Sequence, residues 1–99
     1  MRSKNLIACM LLLLFSITVW AQESAVITGV VTDENKEPLI GVNIAIQNMP
    51  GLGVITDING RYKIKASAYD RLVFSYVGYE TVVVLVKEQR TIHVKMKES

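Results

Sequence analysis

A handful of side chains in this sequence are of types that could do chemistry. Asp57-Ile58-Asn59-Gly60 sets a carboxylate, an amide and a glycine in a row, as calcium loops do. The stretch lacks the third oxygen-bearing position and the distal glutamate of a calcium-binding helix-loop-helix, so a hairpin turn built on Asn59 and Gly60, which accept positive φ, is the preferred reading. In Phe74-Ser75-Tyr76-Val77-Gly78-Tyr79, two rings flank a glycine. They could stack on a sugar, or they could turn a corner between strands. The corner is preferred: alternation buries Tyr76, Gly78 permits the bend, and the Tyr79 hydroxyl is expected to tie to nearby backbone. His93 is the one histidine, on the polar side of a strand, with no cysteine and no serine elbow to complete a nucleophilic site. The carboxylates of Glu34 and Glu37 fall in a turn, where solvation accounts for them. No catalytic residue, metal-ligand set or cofactor site is expected.

The elements that must position these residues are short and β-rich, with turn signals between them and no helical period. Val26–Thr32 is largely β-branched and ends in the polar cluster 33–38. Val42–Asn48 alternates, with Val42, Ile44 and Ile46 on one face. A loop over Met49–Gly53 carries the apolar side chains of Met49 and Leu52, which either cap the end of the fold or form a small contact surface. Strands are expected over Gly53–Thr56, Arg61–Lys65, Arg71–Tyr76, Glu80–Val86 and Thr91–Lys97. Val82–Val86 is apolar on both faces, and Glu80 and Lys87 flank it as gatekeepers against aggregation. A central strand covered on both sides explains the run, as does an edge on which Val84 docks against a neighbouring domain. Together these make a seven-stranded antiparallel β-sandwich. A membrane barrel is excluded, because it needs at least about eight strands of roughly 9–11 residues.

The N-terminus reads differently. Residues 1–21 have a basic start at Arg2 and Lys4, an apolar stretch from Leu6 to Trp20, and Val19 and Ala21 before a cleavage point. This is the form of a secretory signal peptide, removed after Ala21 and too short to span a bilayer, which takes about 20 residues. Lipidation of Cys9 is disfavoured because the apolar region follows that cysteine instead of preceding it. Loss of Cys9 with the leader leaves no disulfide, thiolate metal site or cysteine nucleophile. The expected mature domain, 22–99, has lost Arg2 and Lys4 from eleven basic residues and balances the remaining nine against nine acidic ones. That balance argues against nucleic acid and offers no polybasic patch for anionic lipid.

Four ordered segments carry a family resemblance. They are Ile27-Thr28-Gly29-Val30-Val31-Thr32-Asp33, Glu37-Pro38-Leu39-Ile40-Gly41-Val42-Asn43-Ile44, the run from Gly53 to Tyr62, and the run from Leu72 to Thr81. In order and spacing they resemble the carboxypeptidase regulatory-like domain, a transthyretin-like (prealbumin-like) β-sandwich. The Phe-Ser-Tyr-x-Gly-Tyr element resembles the periplasmic N-terminal extension of SusC/RagA-type TonB-linked outer-membrane transporters. The resemblance implies a non-catalytic domain at the periplasmic side of the outer membrane, serving nutrient uptake energised through TonB. It implies as partners the plug and barrel of such a transporter or components of the TonB complex, with glycan or peptide nutrients met only by regions this sequence lacks. The chain is expected to carry neither plug nor barrel, and Met49 and Leu52 depart from the small polar residues usual in that loop. The alternatives are a free-standing exported binding module and a regulatory module detached from an exported enzyme.

Overall fold

The computed structural model describes residues 24–99; the leader expected over residues 1–21 lies outside the described residues. Seven strands follow in order: β1 (Ser24–Thr32), β2 (Asn43–Ile46), β3 (Met49–Ile55), β4 (Arg61–Ser67), β5 (Arg71–Ser75), β6 (Val82–Leu85) and β7 (Val94–Lys95). They form a three-stranded sheet, β4-β1-β7, and a four-stranded sheet, β3-β2-β5-β6. No helix among the described residues is long and apolar enough to cross a membrane.

Period-two alternation decides which side of each strand faces inward. In β4, Tyr62, Ile64 and Ala66 are buried while Arg61, Lys63 and Lys65 are exposed. In β5, Leu72 and Phe74 are buried, and around β7 the same is true of Ile92, Val94 and Met96. The two inner faces meet in one core that includes Ile27, Val31, Val42 and Ile44. Burying each of the larger of these side chains stabilises the fold by about 1.5–3 kcal/mol. Tyr62 and Phe74 cross between the sheets edge to face, with ring centroids 5.4 Å apart and planes at 80°.

Four expectations need correction. First, the sandwich is not wholly antiparallel: β7 runs parallel to β1, with Val31 opposite Val94 and Thr32 opposite Lys95. Hydrogen bonds from Thr28 N to Arg90 O (3.0 Å), Ile92 N to Thr28 O (2.9 Å) and Met96 N to Thr32 O (2.8 Å) complete that pairing. Alternation is the same in either direction, so sequence could not distinguish the two. Second, the expected loop at Met49–Gly53 is part of β3, which pairs antiparallel with β2 from Ile46↔Met49 to Asn43↔Ile55. Asn48 takes φ of +65°, which closes a tight turn before Met49, and Gly51 at φ +93° absorbs the irregularity that follows. Third, the turn at Asp57–Gly60 makes no hairpin of its flanking strands. It carries the chain from β3 in one sheet to β4 in the other, where β4 pairs with β1. Fourth, β5 ends at Ser75, so alternation no longer governs Tyr76, which is half-buried instead of buried.

Candidate functional site

The corner at Tyr76–Tyr79 is a four-residue turn. Tyr79 N donates to Tyr76 O at 3.1 Å, and Gly78 at the third position has φ of +88°. Positive φ at that position is the signature of a type II turn. A methyl group on Gly78 would meet nothing within 4 Å, so the glycine serves backbone conformation and not space. The two rings are tilted by 38° with centroids 5.5 Å apart. The last residues close against the corner: Glu80 N donates to Lys97 O at 2.8 Å and Ser99 N to Gly78 O at 3.0 Å.

The rings open on different recesses. Tyr79 borders a polar one of about 260 Å³ with Asp33, Glu34, Asn35 and Glu98. Desolvation, followed by the Glu98 and Asp33 carboxylates, pushes the Tyr79 phenol above its ordinary pKa. Tyr76 borders a shallower one with Gly41, Asn43 and Val77. The two rings thus border separate recesses. The hydroxyl-to-backbone tie expected of Tyr79 is made by a different residue: Tyr62 Oη donates to Ile92 O at 2.6 Å, buried in the core. Burial pushes the Tyr62 phenol up to about 12. Gly29 lies opposite Tyr62 in the β1–β4 register, and a methyl group there would collide with Ile92 O and approach Tyr62 Cε1 to 2.8 Å. The signal for this tie was present in sequence as the glycine interrupting the β-branched run of β1.

Val84 sits on an edge strand. β6 pairs with β5 alone, with Leu72 opposite Val84, so of the two positions its apolar run allowed, central strand or edge, it takes the edge. Val82 and Val84 pack partly against the core, Val86 is buried, and Val83 is 49% exposed on the other face. At the opposite side of the sandwich, Met49 and Leu52 on β3 line an apolar groove of about 530 Å³ facing Ile64, Ala66 and Ser67 of β4. The Ser67 hydroxyl is buried there without a hydrogen-bond partner.

The groups most capable of chemistry are engaged in structure. Asp57 Oδ1 accepts from Asn59 N (2.9 Å) and Arg61 N (3.0 Å), and Gly60, at φ +72°, donates its N–H to Asp57 O at 2.9 Å. Asp33 repeats this arrangement, accepting from Asn35 N (2.8 Å) and Glu37 N (3.0 Å), with Lys36 at φ +65° in the glycine's place. The likeness is written in Thr32-Asp33-Glu34-Asn35 and Thr56-Asp57-Ile58-Asn59, a pairing the sequence reading missed. His93 Nδ1 accepts from Val30 N at 3.0 Å, standing in for a backbone partner between β1 and the last strand segment. Among the described residues no group of three His, Cys, Asp or Glu side chains could hold a metal.

The sequence profile of the CarboxypepD_reg-like domain matches residues 27–99, nearly everything just described. The chain belongs to that family. Two receptors share this CarboxypepD_reg-like sequence. The TonB-dependent receptor SusC of Bacteroides thetaiotaomicron is 34% identical over 80 residues, which are 81% of this chain and 8% of the receptor. A TonB-dependent receptor of Formosa agariphila is 38% identical over 72 residues, 72% of this chain and 7% of its own. The chain thus spans less than a tenth of the length of these relatives. Among solved structures, a 3-chlorocatechol 1,2-dioxygenase from Rhodococcus opacus superposes with a TM-score of 0.61 at 11% identity, covering 83% of this chain and 62% of the enzyme. That likeness is one of fold alone.

Proposed function

We propose that this CarboxypepD_reg-like chain is the non-catalytic accessory domain at the N-terminus of a TonB-dependent outer-membrane nutrient receptor, exported by a leader cleaved after Ala21 and held on the periplasmic side of the outer membrane. The observation that carries this reading is the way two receptors match: almost all of the domain on one side, under a tenth of the receptor on the other. A module so placed works by contact. The side chains at the site support that role, since Asp33, Asp57 and His93 are all occupied in holding turns and strands. The β6 edge, with Val83 outward and Val84 against the core, is the surface proposed to meet the plug, the barrel or the energising complex. The nutrient itself, a glycan or peptide, would be bound by those other parts.

The groove under Met49 and Leu52 supports a second reading, a free-standing exported module that binds an apolar ligand there. Detection of the native product with an antibody against residues 22–99 separates the two. Accessory function predicts a product of receptor length in the outer-membrane fraction. A product no longer than this chain in the soluble periplasm overturns it in favour of the free module.

A further inference from the structure

Charge in this domain is balanced in number but segregated in space. The outer face of the β4-β1-β7 sheet presents Arg61, Lys63 and Lys65 along β4 and Lys95 on β7, all exposed, with Lys97 at its rim. Val26, Thr28 and Val30 of β1 lie opposite Lys65, Lys63 and Arg61, and Lys95 lies opposite Thr32, one alternate position beyond Arg61, with Thr91 and His93 on the β7 side of Thr28 and Val30. Neither β1 nor β4 contains a carboxylate, and none occurs from Thr91 to Lys97. The acidic residues lie elsewhere, several in the turns at Asp33–Glu37 and Asp57 and at Glu98 beside Tyr79. Composition alone therefore misleads: nine against nine conceals one face on which cations have no acidic neighbour within the sheet.

We propose that this face is a docking surface for a membrane bearing anionic lipid headgroups. Cations at alternate strand positions stand about 7 Å apart, and Lys95, displaced by two strands and one alternate position, continues the line diagonally about 12 Å from Arg61. This is a broad array of point charges, and the choice of residues indicates its partner. The array is mostly lysine, whose ammonium is a strongly hydrated point charge with no preferred fork geometry. No Phe, Tyr or Trp ring lies on the three strands' outward positions, since Tyr62 points into the core, and the neighbouring His93 imidazole is engaged by Val30 N. Specific protein interfaces favour aromatics and arginine and are depleted of lysine, and single-stranded nucleic acid calls for stacking rings. A laterally fluid sheet of phosphate groups asks for neither. Clusters of four or more lysines and arginines held near such a surface suit that attraction, and Val26, 45% exposed, adds a small apolar contact beside Lys65 at one end of the line.

This inference goes beyond the accessory-domain reading and is tested independently of it, because vesicle binding does not depend on what else the native product contains. Full-length protein, processed by its host, is titrated with vesicles of phosphatidylglycerol and, separately, of phosphatidylcholine; any leader, whose Arg2 and Lys4 would also favour the anionic vesicles, is common to all variants and cancels between them. The expected result is preference for the anionic vesicles, lost at high salt as the Debye length shrinks to about 3 Å at 1 M. The triple variant Lys63→Gln/Lys65→Gln/Lys95→Gln should bind them about 100-fold more weakly, and Lys95→Gln alone about 5-fold. The matched control Lys36→Gln/Arg71→Gln/Lys87→Gln, with the same net charge, should keep the wild-type affinity. Equal binding to both vesicles, or equal loss in the two triple variants, overturns the proposal. Tighter binding to polyglutamate or to duplex DNA than to the anionic vesicles at the same salt also overturns it, assigning the face to another polyanion.

Discussion

At the residue scale, two buried polar side chains outside the expected sites tie backbone segments that are distant in sequence. Thr56 is 2% exposed; its Oγ1 accepts from Val42 N at 2.9 Å and donates to Leu39 O at 2.6 Å, tying the chain ahead of β2 to the end of β3. Thr56→Val keeps the volume and leaves both backbone groups without that partner, so urea denaturation should show a loss of about 1–3 kcal/mol. Tyr62 makes the other tie, and it titrates. Its phenol is raised to about 12 in the folded state against 10.0 as the ordinary value, so its contribution is fully present below pH 10 and fades as pH rises towards 12. Comparing melts of the wild type and Tyr62→Phe between pH 8 and 11.5, the gap in their favourable direction for the wild type should narrow with rising pH. A gap that stays constant would mean the phenol is not held neutral by burial. Neither residue stood out in the sequence. Tyr62 reads simply as an inward-facing position; its partner Ile92 O is a backbone carbonyl 30 residues away, and the trace the tie leaves in the sequence is the glycine opposite Tyr62, Gly29.

At the scale of elements, what could be seen in the sequence was what depends on local alternation. The inward faces of β4, β5 and the last segment follow from Tyr62 and Ile64, Leu72 and Phe74, and Ile92, Val94 and Met96. Pairing and order were not visible, because a strand carries the same pattern at an edge or in the middle and beside a parallel or an antiparallel neighbour. Met49–Gly53 looked like a loop on account of Pro50 and two glycines, but edge strands tolerate such residues, and β3 is an edge. Likewise Val82–Val86 looked covered on both sides, yet β6 is the other edge of the same sheet. The two faces of β6 predict two different phenotypes. Val84→Lys brings a charge against the core and should cost about 2–3 kcal/mol of folding stability by denaturant melting. Val83→Lys changes an exposed side chain and should cost under about 0.5 kcal/mol, yet it should reduce the amount of native product assembled in the outer membrane if that edge makes the proposed contact. Unchanged assembly in Val83→Lys removes β6 from the contact surface, whatever Val84→Lys does to the fold.

At the scale of the whole molecule, the segregation of charge has a consequence for stability that a count of residues conceals. A chain with balanced charges well mixed over its surface gains slightly from its ion pairs, and added salt weakens it or leaves it unchanged. Here folding gathers Arg61, Lys63, Lys65 and Lys95 on one sheet face and sets Asp33, Glu34 and Glu98 around one recess. Arg61, Lys63 and Lys65 alternate along one extended strand and are no farther apart in the unfolded chain, so unfolding relieves only repulsion between charges distant in sequence, Lys95 with Arg61 and Glu98 with Asp33 and Glu34. A pair about 10 Å apart in water repels by about 0.4 kcal/mol. The Debye length falls from about 30 Å at 0.01 M to about 8 Å at 0.15 M, which screens the more distant pairs almost fully and the nearest in part. Salt should therefore stabilise this protein, by about 0.5 kcal/mol over that range, equivalent to a rise in Tm of about 2–4 °C for a domain of this size. Thermal melts in sodium chloride at constant buffer and neutral pH measure it. Lys95→Gln/Glu98→Gln should start with a higher Tm at low salt and show a flatter dependence, because the long-range repulsion that salt screens has been removed by substitution, whereas Lys63→Gln/Lys65→Gln should change the dependence little. A wild-type Tm that falls as salt rises would show that attractive pairs across the surface outweigh the crowding of the sheet, and that the cation face is less isolated from carboxylates than its strands imply.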